Sequence, residues 1–163
     1  MTDAAPAIFI AIEGSAFAAT VRQSSYAYMA ANVAHILSLM VFFSAVAVMD
    51  LRLAGFFQST WPGSLLRRAR TIAIIGFIGL AASGTILFVA EASHLVLNTI
   101  FQIKVALIAL GLINIIWFEY FIADRVTDVQ PNTPLPGSAR FVGVASLLMW
   151  FAVAACGRLI AYF

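Results

Sequence analysis

The sequence predicts an all-α, transmembrane four-helix bundle with an N-terminal interfacial helix, and three observations indicate it. Hydrophobic residues make up 63% of the 163-residue chain and charged residues only 10%, whereas soluble domains carry about 25% charged residues. The mean hydropathy is +1.02. Four apolar stretches each reach about 20 residues, the length of helix that crosses a bilayer. We therefore expect one integral membrane domain over residues 1–163.

The four predicted spans cover residues of about 26–49, 71–92, 99–122 and 141–160. The segment 6–22 precedes them and is apolar, but Glu13, Gly14 and Ser15 interrupt it. Its uninterrupted apolar part is too short to cross a bilayer, so a helix lying in the membrane interface is expected there. The connection 129–137 contains three prolines and cannot be helical through its middle.

Basic residues near the span ends predict the orientation in the membrane, because they are enriched on the cytoplasmic side. One side carries Arg52, Arg67, Arg68, Arg70, Arg125 and Arg140, and the other carries Arg22, Lys104 and Arg158. The side with six basic residues is expected to be cytoplasmic, so both termini face outward, which in a bacterial inner membrane is the periplasm. The net charge is only +2, so no nucleic-acid partner is expected.

Two histidines associated with different spans raise the possibility of a cofactor. Imidazole is the usual axial ligand of b-type haem in a helical bundle, so His35 and His94 are candidate iron ligands, with Lys104 and Arg158 for the propionates. Their depths differ, however: at 1.5 Å per residue, His35 lies about 22 Å and His94 about 36 Å from the cytoplasmic helix ends. The alternatives are an interior His35 that is hydrogen-bonded to Ser83 and a solvated His94.

Other polar or small residues form two further patterns. A stripe of small residues on the second span, which includes Gly76 and Ser83, allows a neighbouring helix or a flat cofactor to approach closely. At the outer end, Lys104, Arg158, Glu91 and Glu13 are predicted to form a polar cluster. Arg158 is expected to pair with Glu91, because an unpaired charge inside the membrane is costly. Cys156, on the fourth predicted span, is expected to lie near the depth of His35.

The stretches "NVAHILSLMVFFSAVAVMDLRLAG" and "SGTILFVAEASHLVLNTIFQIKVALIALGLIN" resemble an uncharacterised family of bacterial four-helix inner-membrane proteins, loosely similar to copper-resistance D-type membrane domains. The resemblance covers about residues 12–162. Its most specific pieces are His35, Asp50-Leu51-Arg52, Asn98, Phe101, Lys104, Trp150 and Gly157-Arg158. It implies four spans, an inner-membrane location and His35 as a family position. It implies a tyrosine where this chain has His94, and it supplies no activity.

A stand-alone enzyme is not expected, because the sequence has no nucleotide-binding loop, no Ser/His/Asp set and no paired carboxylates at one depth. The leading hypothesis is an anchor or accessory subunit of an electron-transfer complex that binds haem b or a quinone near His35. Its expected partners are the lipid bilayer and other membrane or periplasmic subunits. The alternatives are a non-redox membrane protein that handles a metal ion or small solute, and a purely structural scaffold subunit.

Overall fold

A computed structural model describes residues 4–162, which are almost entirely helical. Four of the helices are long and apolar enough to cross a membrane, by length and composition. The predicted all-α, four-helix fold is therefore confirmed, and the chain is a multi-pass membrane protein. The helices are α1 (Ala7–Glu13), α2 (Ala16–Gln23), α3 (Ser25–Ala54), α4 (Pro62–Ala90), α5 (Ala92–Leu97), α6 (Thr99–Phe121), α7 (Ala123–Thr127) and α8 (Gly137–Leu159), and the candidate spans are α3, α4, α6 and α8.

The first two long helices extend beyond the predicted spans. α3 continues through Asp50 and Arg52 and ends at Gly55, whose φ of 109° is left-handed. α4 begins at Pro62, well before the predicted start at residue 71, because proline is favoured in the first turn of a helix. At 1.5 Å per residue, α3 is about 45 Å long, whereas the hydrocarbon core is about 30 Å thick. Hydropathy therefore locates the apolar part of each helix and misses its polar ends.

The predicted N-terminal helix over residues 6–22 is two short helices, α1 and α2. They separate at Gly14 and Ser15, where the Ser15 hydroxyl accepts a hydrogen bond from the backbone N–H of Ala18 at 3.2 Å. Serine is a favoured N-cap, so it starts a new helix at this point. The location of this pair in the membrane interface stays a prediction.

Close packing joins the four long helices at one level of the bundle. A Cβ atom on Gly76 of α4 would lie 2.7 Å from the backbone nitrogen of Phe42 in α3, and one on Gly111 of α6 would lie 2.9 Å from the Trp150 ring in α8. The rings of Phe42 and Trp150 meet edge to face, with centroids 4.7 Å apart. We call these four residues the aromatic layer. Its two glycines allow backbones and large rings to approach closely, as in other membrane helix pairs.

Replacing Gly76 by alanine tests this packing. Because the new methyl group would meet the backbone of Phe42, the helices have to separate, and we expect the free energy of unfolding to fall by about 1–3 kcal/mol. Unfolding in mixed detergent and dodecyl sulfate, followed by circular dichroism, measures it. Gly137→Ala is the control, since no heavy atom lies within 4 Å of a Cβ there. Equal stability of the two variants would contradict the packing.

Candidate functional site

A second layer of residues lies two helical turns from the aromatic layer, toward the end of the bundle that carries α5. In each long helix, the residue of this layer is seven positions from the aromatic-layer residue of the same helix, which corresponds to about 10 Å. We call it the polar layer. Its members are His35 of α3, Ser83 of α4, Lys104 of α6 and Gly157 of α8.

The ring of His35 is held by a hydrogen-bonded chain on α4. His35 Nδ1 lies 3.0 Å from Ser83 Oγ, and the Ser83 hydroxyl donates to the carbonyl of Gly79 at 2.6 Å. A serine hydroxyl has only one hydrogen to donate. Because that hydrogen is directed to the backbone, Ser83 Oγ accepts from the Nδ1–H of His35. The neutral imidazole therefore carries its proton on Nδ1 and leaves Nε2 as a hydrogen-bond acceptor.

Two groups of the polar layer are left without partners in residues 4–162. His35 Nε2 has no hydrogen bond to these residues and is not an enclosed atom. The Lys104 ammonium forms no ion pair with them, and it lies against α8, 3.3 Å from the position of a Cβ on Gly157. A charged side chain at such a depth is a functional-site candidate.

The two histidines do not come together. His35 bonds to Ser83, whereas His94 is exposed on α5. The helix α4 rises about 10 Å between Ser83 and its end at Ala90, and His94 lies further along the chain. One iron therefore cannot reach both rings. The small-residue stripe of α4 packs against side chains of α3 and leaves no slot for a flat macrocycle. The residues present do not fit a haem that both histidines hold.

A multi-residue metal centre has no support within the described part of the chain. No group of three or more His, Cys, Asp or Glu side chains is arranged there to hold an ion. Cys156 is a free, partly buried thiol near the polar layer.

The predicted pair of Arg158 with Glu91 does not form. The Arg158 guanidinium donates to the Tyr162 hydroxyl at 2.6 Å and lies 4.8 Å from the centre of that ring. No carboxylate within residues 4–162 lies within 4 Å of Arg158. Glu91 instead accepts a hydrogen bond from Tyr28 at 3.3 Å. The prediction is wrong because Tyr162, one turn further along, offers both a hydroxyl and an aromatic face to the cation.

Glu13, also predicted in that cluster, has a different role. Its carboxylate accepts hydrogen bonds from the Ser93 backbone N–H, at 2.8 Å, and from the Ser93 hydroxyl. Arg22 donates to the carbonyls of Glu13 and Ala90, each at 2.9 Å. These bonds, which we call the N-terminal clasp, fasten α1 and α2 to the junction of α4 and α5. The interruption of an apolar segment by Glu13 is visible in the sequence, but its partner is not.

Two charged residues that follow the first predicted span, 26–49, are buried. Asp50 is only 5% exposed and Arg52 is fully enclosed. Arg52 Nε donates to the carbonyl of Thr60 at 3.2 Å, whereas Asp50 Oδ2 and both terminal nitrogens of Arg52 have no partner among residues 4–162. Their position in the sequence, just after an apolar stretch, predicts exposure to water at a helix end. The feature of the sequence that singles them out is the resemblance, in which Asp50-Leu51-Arg52 is one of the most specific pieces.

The fold and site define a class: a four-span membrane protein with a His/Lys polar layer inside the bundle. A family model described as a family of unknown function, DUF6644, matches residues 9–163. The chain belongs to this family, which supports the expectation of an uncharacterised family. The match makes no connection to copper-resistance D-type domains, and that likeness stays an expectation. Searches among curated proteins and among solved structures gave no match.

The N-terminal clasp predicts a pH dependence. Hydrogen bonds from the Ser93 side chain and backbone favour the charged carboxylate, so they hold the pKa of Glu13 below its usual value of 4.5. The clasp therefore stabilises the fold fully above that value and is lost as the pH falls through the lowered pKa. Ser93→Ala should raise the pKa of Glu13 toward 4.5, as measured by carbon-13 NMR titration of the carboxyl group in micelles.

Thr20→Ala is the matched control for this titration, because the Thr20 hydroxyl bonds only within α2, to the carbonyl of Ala16. It should leave the Glu13 titration unchanged. If Ser93→Ala also left it unchanged, the clasp would not be present in solution.

Proposed function

We propose that this protein is an accessory membrane subunit of an electron-transfer complex and that it binds a quinone at the polar layer. The observation that carries the proposal is the presence of two unpartnered groups at one level of the bundle, His35 Nε2 and the Lys104 ammonium. One accepts and the other donates a hydrogen bond. A quinone and its quinol carry carbonyl and hydroxyl oxygens on an apolar ring, so they match such a pair in a membrane.

Each residue of the polar layer has a distinct role in this proposal. Lys104 donates to a carbonyl oxygen, and the positive charge strengthens the bond. His35 Nε2 accepts from a hydroxyl group, while Ser83 acts as a positioning residue that fixes the ring and its proton on Nδ1. Bound quinone supplies the two-electron redox chemistry. Phe42 and Trp150 fill the bundle two turns away and bound the layer on that side.

The proposed setting is a bacterial inner membrane with both termini in the periplasm and the Arg67–Arg70 end of α4 in the cytoplasm. The excess of basic residues at that end supports this orientation. The connections between the four long helices are short and hold no soluble catalytic domain, which supports a subunit that works with partners. Those partners are other membrane or periplasmic subunits, in addition to the lipid bilayer.

Binding of a short-chain ubiquinone analogue, in its oxidised and its reduced form, to the purified protein in detergent tests the proposal. Calorimetric titration should show that Lys104→Met weakens binding of the oxidised quinone more than tenfold, because a hydrogen bond to a charged group is lost. His35→Ala should weaken binding of the reduced quinol about fivefold, because only the quinol has a hydroxyl hydrogen to donate to Nε2. His94→Ala is the control, since His94 is exposed on α5, and it should bind like the unmodified protein. Equal losses in all three variants, or no binding to the unmodified protein, would contradict the proposal.

An absorbance spectrum separates this function from the haem hypothesis. We expect the dithionite-reduced minus oxidised spectrum of the purified protein to lack a Soret band and an α band. If both bands appeared and His35→Ala removed them, a haem on His35 with another ligand would replace the quinone. If neither the two haem bands nor quinone binding were observed, the structural-scaffold alternative would replace the quinone proposal.

A further inference from the structure

A groove runs between α3 and α4 on the outside of the bundle, at the end opposite the polar layer. Its volume is about 710 Å³. The buried residues Ala45 and Ala69 form its floor, and exposed side chains such as Met40 and Ile72 form its walls. Because alanine is small, the two helices leave a recess between their larger neighbours. The remaining lining residues are Val41, Ser44, Val48, Thr60, Ser64, Leu65 and Arg68.

The groove is apolar along most of its length and polar at one end. Thr60, Ser64 and Arg68 line that end, which we call the mouth. Arg68 is exposed and pairs with no carboxylate of residues 4–162, whereas nearby Arg70 pairs with Glu119 at 2.9 Å. A free cation is thus held beside an apolar recess.

The loop at the mouth is fixed in place. The carbonyl of Thr60 accepts a hydrogen bond from the fully buried Arg52 at 3.2 Å, and the Ser64 hydroxyl bonds to the carbonyl of Trp61 at 3.1 Å. The loop that borders the mouth is therefore anchored at the Thr60 carbonyl by a buried side chain, and Ser64 is held to Trp61 at the surface.

The dimensions agree with a single leaflet of the bilayer. From Ser64 to Ile72, α4 rises about 12 Å, while half of the hydrocarbon core is about 15 Å. A ligand seated here has an anionic group at Arg68 and an apolar chain along Met40 and Ile72. We propose that the groove binds one acidic phospholipid, with its phosphate at the mouth and an acyl chain in the recess. Basic side chains at the membrane surface attract such lipids.

Charge complementarity is what selects this occupant. A purely apolar helix from a partner would fill the recess but leave the cation at the mouth unpaired. A zwitterionic phospholipid offers a phosphate together with its own cation, which lies near Arg68. An acidic phospholipid matches both ends of the groove, so it should bind more tightly than a zwitterionic lipid of equal chain length.

Native mass spectrometry of the full chain, released from micelles that contain equal amounts of phosphatidylglycerol and phosphatidylcholine, measures this preference. The unmodified protein should retain one phosphatidylglycerol in preference to phosphatidylcholine. Arg68→Gln should reduce that preference about fivefold, the effect of one basic residue at a membrane surface. Arg67→Gln is the matched control, because Arg67 is an exposed neighbour that does not line the groove, and it should retain the preference.

A second pair of variants tests the recess itself. Ser44 is an exposed lining residue, so Ser44→Leu fills the groove without disturbing the buried core, and it should reduce retention of both lipids. Ala34→Leu makes a comparable change at an exposed position of α3 outside the groove and should have no effect. Inorganic phosphate should not displace the lipid, because it lacks the chain.

Three results would overturn the proposal. Equal losses in Arg67→Gln and Arg68→Gln would indicate a general attraction of the basic surface for acidic lipids. Unchanged retention in Ser44→Leu would show that the lipid sits elsewhere. Displacement by inorganic phosphate would indicate an anion site without a lipid chain.

Discussion

The close approach of α3 to α4 determines how the rest of the bundle is arranged. Lipid tails are as apolar as the helices, so helix association in a membrane depends on packing and on hydrogen bonds rather than on the hydrophobic effect. Gly76 supplies the packing by letting the backbone at Phe42 come close. Two turns along the same interface, His35 reaches Ser83 at 3.0 Å and supplies the hydrogen bond. The polar layer exists because the aromatic layer brings these helices together.

The charged residues at the two ends of the bundle differ in their burial and in their contacts. Toward α5, Lys104 stands in the polar layer without a carboxylate partner in the described part of the chain. Toward α7, Asp50 and Arg52 are enclosed by neighbouring elements, and Arg52 holds the loop at Thr60. Buried charges of this second kind fix the local structure, whereas an accessible cation in an apolar setting is suited to binding.

Much of the fold could be predicted from the sequence, because a helix that crosses a membrane needs a long apolar stretch. The His35–Ser83 bond was also accessible, since helix rise alone places both residues at similar depth. The helix ends could not be predicted in this way, because hydropathy does not report where backbone hydrogen bonding stops. The helix α4, for example, begins at Pro62, well before its apolar stretch. Side-chain pairing was the least predictable: Ser93 meets Glu13 from 80 positions away, and depth alone cannot choose between Glu91 and Tyr162 for Arg158.

The central claim is that Ser83 fixes His35 with its proton on Nδ1 and leaves Nε2 free to bind. Nitrogen-15 NMR of labelled histidine in micelles at pH 8, well above an ordinary histidine pKa of about 6.5, tests it directly. His35 should show a protonated Nδ1 and an unprotonated Nε2, and Ser83→Ala should abolish this preference while the signal of His94 stays unchanged. A proton on Nε2 in the unmodified protein would contradict the account, because the acceptor on which ligand binding depends would then be absent.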